Sequence, residues 1–465
     1  MKTIAVRDAL VVPRPSGWTL FVFLLVVALG SEYWDKDPIA LPGGIMLPWP
    51  RFVLAMLVVP LLVPRSARRW SVLGRVPRVT GPMLIFWAAC ALSVVSVIYA
   101  PGTSSVGQFV KTFLHLSLYV GFVVALVKWI TWRKLSLLVN AYYLMGIAAA
   151  VLAILQYAHG QFGLFGFMAP LQFQSRSYDV GAGLNVGFRT SSFFGEPSWA
   201  ARYYVHFIAL ALAFWWQTRA SWHLAVVGLL LLAFYTANSL LGYVILGTFG
   251  LALAVMQMWR RNMFSLSSGR KAAIGIAAYG ILVSWLLGMT PRVPDLIDRS
   301  IARVGLVMQG GGSAGNRIDS VFAGLKVWEL APVGGVGLGN IDRYISVYYE
   351  DPAWVLRSSL ASDSLYVQLL AEVGVIGLLA FLWFWFRLLW FRLPSEFLET
   401  ASAESAQTFL WLRFLQFDLF AQGVGMINAA DYLNPHFWTV VAIVLSCKTL
   451  LLAESRPVER APALA

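Results

Sequence analysis

Residues 290–377 read TPRVPDLIDRSIARVGLVMQGGGSAGNRIDSVFAGLKVWELAPVGGVGLGNIDRYISVYYEDPAWVLRSSLASDSLYVQLLAEVGVIG, the only long polar interruption in a chain otherwise built of apolar runs. A loop of this length inside a compact protein is either functional or disordered. Its content of Trp, Tyr, Val and Leu is too high for disorder. It therefore reads as the working part of the protein, closed over a site at a membrane surface.

The totals support a bilayer. The chain has 465 residues, 59% hydrophobic and 12% charged, with a mean hydropathy of +0.71. Soluble domains carry roughly 25% charged residues. The 35 Lys and Arg outnumber 22 Asp and Glu, but the surplus sits in short connections between apolar runs. That is the positive-inside signature and not a nucleic-acid footprint. Cys90 and Cys447 lie in or beside apolar runs, so no disulfide framework is expected.

Apolar runs long enough to span a bilayer fall near 16–34, 46–64, 81–100, 106–129, 135–157, 198–217, 221–237, 239–259, 272–289, 366–391, 408–427 and 433–453. The expected fold is thus an all-α polytopic membrane protein of about twelve transmembrane helices. The pair within 221–259 is alternatively one long run broken at Asn238. The first run reads as a retained span with no cleavage pattern. Residues 1–453 form one membrane domain, and the Pro/Ala-rich tail 454–465 is expected to be disordered.

Basic residues in every second connection place both termini in the cytoplasm. The loops at 158–197 and 290–365 then emerge together on the other side. The larger one carries seven basic and seven acidic residues between Thr290 and Ser362. Being neutral, it does not set topology by charge.

Polar residues gather at that outer level. In the stretch Phe188-Arg189-Thr-Ser-Ser-Phe-Phe-Gly-Glu196-Pro197-Ser198-Trp199, Pro in the first turn and Glu before it mark a helix start. A capped helix with an arginine on a loop is the plain reading. Below it, Ser198, Arg202 and His206 recur on one helix face, and an intramembrane arginine marks a functional site. Gln108, Lys111 and His115 form a similar stripe, although a lysine near a helix end often snorkels. Asp418, in mid-span, is expected to be structural and to pair with Arg413 or Gln422.

Within the large loop, Arg317 stands at the start of an amphipathic pattern from Ile318 to Leu330. The glycine-dense stretch Pro332 to Asn340 is either a phosphate cradle or a tight re-entry turn. Asp363 is placed either to cap the next helix or to act as a general base. The acidic pair Asp35 and Asp37 suggests a cation site, but topology alone also leaves acidic residues on a non-cytoplasmic loop.

Taken together, three stretches resemble the O-antigen ligase/polymerase superfamily of bacterial envelope proteins, of the Wzy and WaaL kind. They are Arg189 to Ser198, Arg317 with Pro332 to Gly339, and Tyr366 to Gly377. The resemblance covers roughly the C-terminal two thirds. It implies a GT-C-like membrane glycosyltransferase that is metal-independent, inverting and free of cofactors. Such an enzyme moves glycan from an undecaprenyl-pyrophosphate carrier at the periplasmic face of the inner membrane.

Pyrophosphate leaves without a proton but needs cations to hold it, and arginine suits phosphate. Arg189, Arg317, Arg202 and Lys111 are the candidates. Asp363 or Glu196 is the candidate base, and Tyr366, His436 and Trp199 the candidate glycan contacts. Ligases of the family resembled carry a histidine, usually followed by asparagine, where this sequence has Asp363 and Ser364. That departure, with the Gly-Glu-Pro-Ser form, favours a polymerase over a ligase. A chain-length regulator and a flippase are partners implied by the resemblance, beside bilayer lipid. A transporter is the reading from another class, but the dissimilar halves and the outer position of the polar residues do not suit one.

Overall fold

The computed structural model describes residues 76–99, 104–165, 189–194, 196–260, 312–345, 362–391, 401–428 and 433–455, two short hairpins, and positions 22, 25, 393 and 397. The hairpins and residues 76–78, 240, 256–260, 312–318 and 428 are described by backbone alone. The first hairpin pairs β1 (Ile39–Leu41) with β2 (Ile45–Leu47), and the second pairs β3 (Ser177–Val180) with β4 (Leu184–Phe188). The run expected at 46–64 therefore begins in a strand. The rest of it, the run at 272–289, and Asp35 and Asp37 lie outside the described residues.

All else is helical. In chain order come α1 (Val76–Leu92), α2 (Val94–Tyr99), α3 (Val106–Trp129), α4 (Trp132–Phe162), α5 (Pro197–Thr218), α6 (Trp222–Ala237) and α7 (Leu240–Arg260). Then follow α8 (Gly312–Leu330), α9 (Ile341–Ile345), α10 (Leu365–Leu389), α11 (Ala403–Gly425) and α12 (Pro435–Glu454). Asn238, left-handed at φ 42°, separates α6 from α7, so 221–259 is two helices. Among the described residues, five helices are long and apolar enough to cross a membrane: Val79–Tyr99 (α1 with α2), α3, α4, α10 and α12. α6 and Leu241–Val255 within α7 are apolar but shorter. The protein is a helical membrane protein, with fewer such helices among these residues than the twelve runs expected.

α5 and α12 are the central helices. Every residue from Ala200 to Ala211 and from His436 to Lys448 is buried. A helix enclosed on all sides must be apolar all round or pair its polar groups internally. Both helices do the second where they carry charge. At the inner end, Lys448 Nζ donates to the carbonyls of Arg387, Leu388 and Trp390 at 2.6, 2.7 and 3.3 Å. Gln416 Nε2 donates to Leu388 and Leu389 at 3.0 and 2.9 Å. Together they satisfy the last carbonyls of α10, which a helix leaves without partners of its own. Ser405 at the start of α11 reaches Glu454 at the end of α12. These contacts place the end of α10, the start of α11 and the end of α12 at one level.

α10 is broken. Gly374 has φ 67° and ψ −171° inside it, a region close to glycine-only. The break frees backbone groups of α10, and the glycine-rich turn before α9 takes them up. Val336 and Gly337 donate their amides to the carbonyls of Ala371 and Glu372 at 2.8 and 2.9 Å. In return, Val375 and Ile376 donate to the carbonyls of Pro332 and Val333 at 3.0 and 3.5 Å. The same turn reaches sideways, with the Leu338 amide donating to Ser93 Oγ, between α1 and α2, at 3.1 Å. Asn340 Oδ1 accepts from Ser105, the residue capping α3, at 2.6 Å.

A Cβ on Gly374 would strike the Val333 carbonyl, whereas one on Gly228, in α6, meets nothing. Gly374→Ala is therefore expected to lower the stability of the detergent-solubilised protein by at least ~2 kcal/mol. Gly228→Ala is expected to be neutral or stabilising by up to ~1 kcal/mol. Thermal unfolding of the two variants, followed by circular dichroism, checks the contrast.

Candidate functional site

The stretch carrying Arg189 is inserted into the bundle and is not a surface loop. Thr190, Ser191, Ser192 and Phe194 are all buried. Backbone buried away from helices needs partners, and α4 and α6 supply them. Gln156 of α4 donates through Nε2 to the Ser192 carbonyl and accepts through Oε1 from the Ser192 amide, both at 2.9 Å. Ser192 itself is left-handed at φ 55°, and its Oγ donates to the Ala149 carbonyl at 2.8 Å. On the other side, the Thr190 amide donates to the Thr236 carbonyl at 3.1 Å. Arg189 Nε donates to the Ala237 carbonyl, at the end of α6, at 3.0 Å. The arginine is thus held at the junction of α6 and α7.

α5 starts directly after this insertion. Glu196 is its N-cap residue with Pro197 next, as the sequence indicated, but the Glu196 side chain does not cap the helix. It is exposed and accepts from Ser198 Oγ at 3.0 Å. Trp199 is half-buried and packs on the core. Arg202, one turn lower, is 3% exposed. Its Nε donates to Gln422 Oε1 of α11 at 3.3 Å. Gln422 Nε2 donates back to the Arg202 carbonyl at 3.1 Å and to Asp418 Oδ1 at 3.2 Å. Asp418 Oδ2 bonds His206 Nδ1. Of the two partners expected for Asp418, Gln422 is therefore one; Arg413 is not, because it donates to Gln416 and lies over Phe409.

His436 is fully buried, not open at a rim. Its ring centroid lies 4.5 Å from that of Tyr203 and 5.2 Å from that of Phe194. Tyr366, in the first turn of α10, donates its hydroxyl to the Gly423 carbonyl at 2.7 Å. The outer end of α11 therefore touches both the arginine of α5 and the tyrosine of α10.

Asp363 is not the N-cap of α10; Ser364 occupies that position. Asp363 is half-buried and tied to α8 of the large loop. Its amide donates to Ser320 Oγ at 3.0 Å, and the same hydroxyl lies 3.3 Å from its Oδ2. Arg317 is three positions before Ser320; α8 starts earlier than expected, at Gly312, and the Arg317 side chain lies outside the described residues. Lys111 is exposed on α3 and acts electrostatically on Asp342 of α9.

The structure so brings together Arg202, Tyr366 and, through Tyr203, His436, and it sets Asp363 against α8. Arg189, Glu196 and Lys111 are positioned by other contacts at the ends of α6, α5 and α3. The glycine turn is a re-entry turn: the amides of Gly335, Val336, Gly337 and Leu338 are spent on Ala331, Ala371, Glu372 and Ser93. Its amides are not a phosphate cradle. Among the described residues, no group of His, Cys, Asp and Glu is placed to hold a metal.

Sequence reasoning missed Gln156 and Asn340, and it missed the bond between Gln422 and Arg202. The available signal was an amide in or beside an apolar run, where an unpaired polar group is costly.

These features define a helical membrane protein with buried cationic and amide side chains near the start of α5 and the end of α11. Residues 204–382 match the family model described as O-antigen ligase, and this match supports the O-antigen polymerase/ligase superfamily for the chain. The matched range includes Arg317, Asp363 and Tyr366, while Lys111, Arg189, Glu196, Arg202 and His436 fall outside it. No curated protein matches.

Two predictions follow from this geometry. Gln156→Leu strands the amide and carbonyl of Ser192, at ~1–3 kcal/mol for each buried group. Hydrogen exchange is expected to rise at 189–194 and to stay unchanged in α12. Separately, burial raises the Asp342 carboxyl above its ordinary value, against the lowering effects of Arg343 and Lys111. A raised carboxyl destabilises the fold once it ionises, so Asp342→Asn is expected to raise Tm near pH 7. That gain is expected to shrink below about pH 4, as thermal melts at the two pH values will register.

Proposed function

We propose that the protein polymerises undecaprenyl-pyrophosphate-linked oligosaccharide repeat units at the periplasmic face of the inner membrane. The reaction is metal-independent, inverting glycosyl transfer of the GT-C kind. One observation carries the reading: the cationic Arg202 and the acceptor-side Tyr366 meet at the same end of α11; Tyr366 lies inside the span matched by the family, and Arg202 just before it.

In this reading the acceptor hydroxyl oxygen attacks the anomeric carbon of the donor glycan. Its proton passes to a carboxylate, the bond from the anomeric carbon to the pyrophosphate oxygen breaks, and undecaprenyl pyrophosphate departs with the electron pair. Arg189, Arg202, Arg317 and Lys111 hold the diphosphate and offset the charge that develops on it. Asp363 is preferred to Glu196 as the base. It is half-buried and fixed by Ser320 on the loop helix that also carries Arg317, whereas Glu196 is exposed. Trp199 and Tyr366 face the glycan, and His436 supports them from within the aromatic cluster.

The ligase reading rests on the match to the O-antigen ligase family. Supplying already polymerised lipid-linked donor with a lipid A-core acceptor separates the two. A ligase consumes that donor, whereas a polymerase extends only when given repeat units.

In reconstituted vesicles, Arg189→Ala and Arg317→Ala are each expected to slow polymer formation about 100-fold. Asp363→Asn is expected to lower kcat by a further order or more, with a smaller effect from Glu196→Gln. Full-length polymer from both arginine variants at normal expression would end the pyrophosphate assignment.

A further inference from the structure

The buried chain Arg202–Gln422–Asp418–His206 has no part in the chemistry just described beyond the arginine itself, yet it occupies the contact between two central helices. Gln422 is 2% exposed and makes three hydrogen bonds, to Arg202 Nε, the Arg202 carbonyl and Asp418 Oδ1. An amide has one acceptor and one doubly donating group, and here both ends are used on α5 and on its own helix. The next residue, Gly423, accepts the Tyr366 hydroxyl through its carbonyl. Adding a Cβ there would press on Trp385 Nε1 of α10 at 2.7 Å. The outer end of α11 is therefore clamped to α5 by a side chain and to α10 by backbone.

The chemistry of the Arg202 contact is informative. A carboxylate in place of Gln422 would orient the guanidinium but oppose its charge. A neutral carbonyl oxygen orients it and adds no opposing charge of its own. Asp418, the nearest carboxylate in this chain of bonds, is itself occupied by His206 and by the Gln422 amide.

We propose that Gln422 is a positioning residue for the donor diphosphate: it holds the Arg202 guanidinium in register with Tyr366, acting through Arg202 and not by touching substrate. Asp418 and His206 fix the amide orientation of Gln422. The proposal rests on Arg202 gripping the diphosphate, so its test is built to fail separately from that assignment.

The probe is undecaprenyl pyrophosphate itself, titrated into the full chain in nanodiscs and also used as a product inhibitor of polymerisation. Gln422→Met keeps the length and removes all three bonds; Gln422→Glu keeps the acceptor and adds an opposing charge. Both are expected to weaken diphosphate binding about tenfold, with a matching rise in the donor KM. The double variant with Arg202→Ala is expected to bind no more weakly than Arg202→Ala alone, because the two residues act as one unit. A merely structural role would reduce the active fraction and leave the affinity of the remainder unchanged.

If Arg202→Ala binds the probe as well as the parent, the diphosphate role of Arg202 fails and the proposal with it. If Arg202→Ala weakens binding while Gln422→Met and Gln422→Glu do not, or if the effects add, the positioning role alone is overturned. Should Gln422→Met fail to fold, Gln422→Glu decides the matter by the same readings.

Discussion

In a bilayer, a backbone amide or carbonyl that leaves a helix has no water to turn to, and each such group costs several kcal/mol unless the protein answers it. That constraint shapes the outer half of this molecule. The chain departs from helix at Gly374 inside α10 and at 189–194 before α5, and each departure has a dedicated partner. The turn from Pro332 to Leu338 answers the first by exchanging amides and carbonyls with α10. Gln156 answers the second by pairing both backbone groups of one residue, Ser192. Irregular backbone is tolerated where it is buried in protein, and here each departure is answered by the protein itself.

The pairing explains why two of the motif stretches travel together. The glycines of 334–339 and the Glu-Val-Gly of 372–374 are two sides of one contact, in which Gly335 and Gly374 each approach the other strand's backbone too closely for a side chain. A glycine-rich turn beside a proposed phosphate site invites the idea that its amides bind the phosphate. Counting the bonds rejects that, since those amides are used within the protein. Positive charge for an anionic substrate must then come from side chains, which returns the emphasis to the arginines.

Much of the architecture was legible in the apolar periodicity. Helices fall on the expected runs from residue 81 onward wherever the chain is described, and Asn238 splits the pair it was suspected of splitting. Pro197 and Glu196 announced a helix start correctly. Side-chain roles were less legible, because they depend on what a neighbouring helix presents. Asp363 reads as a cap by local pattern, yet Ser320, 43 residues away, claims it. His436 reads as a candidate glycan contact, yet Tyr203 and Phe194 pack against the imidazole. No spacing rule links Gln156 to Ser192 or Gln422 to Arg202, so those contacts were not legible, although Gln422 was expected to meet Asp418 and does.

The described part of the large loop, residues 312–345, is held by packing and by hydrogen bonds. Its helix α8 packs on the start of α10 closely enough that a Cβ on Gly324 would meet Val367 at 2.6 Å, and Ser320, one turn earlier, fixes Asp363. The following turn is bonded to α10, α3 and the junction of α1 with α2. A loop held mainly by surface charge would shift with salt, whereas backbone pairing and close packing hold one register. Arg317 sits about two turns before Gly324 on this anchored helix, so its backbone position relative to Asp363 is set by packing. A reaction that must place a diphosphate and an acceptor hydroxyl on opposite sides of one carbon depends on such fixed separation.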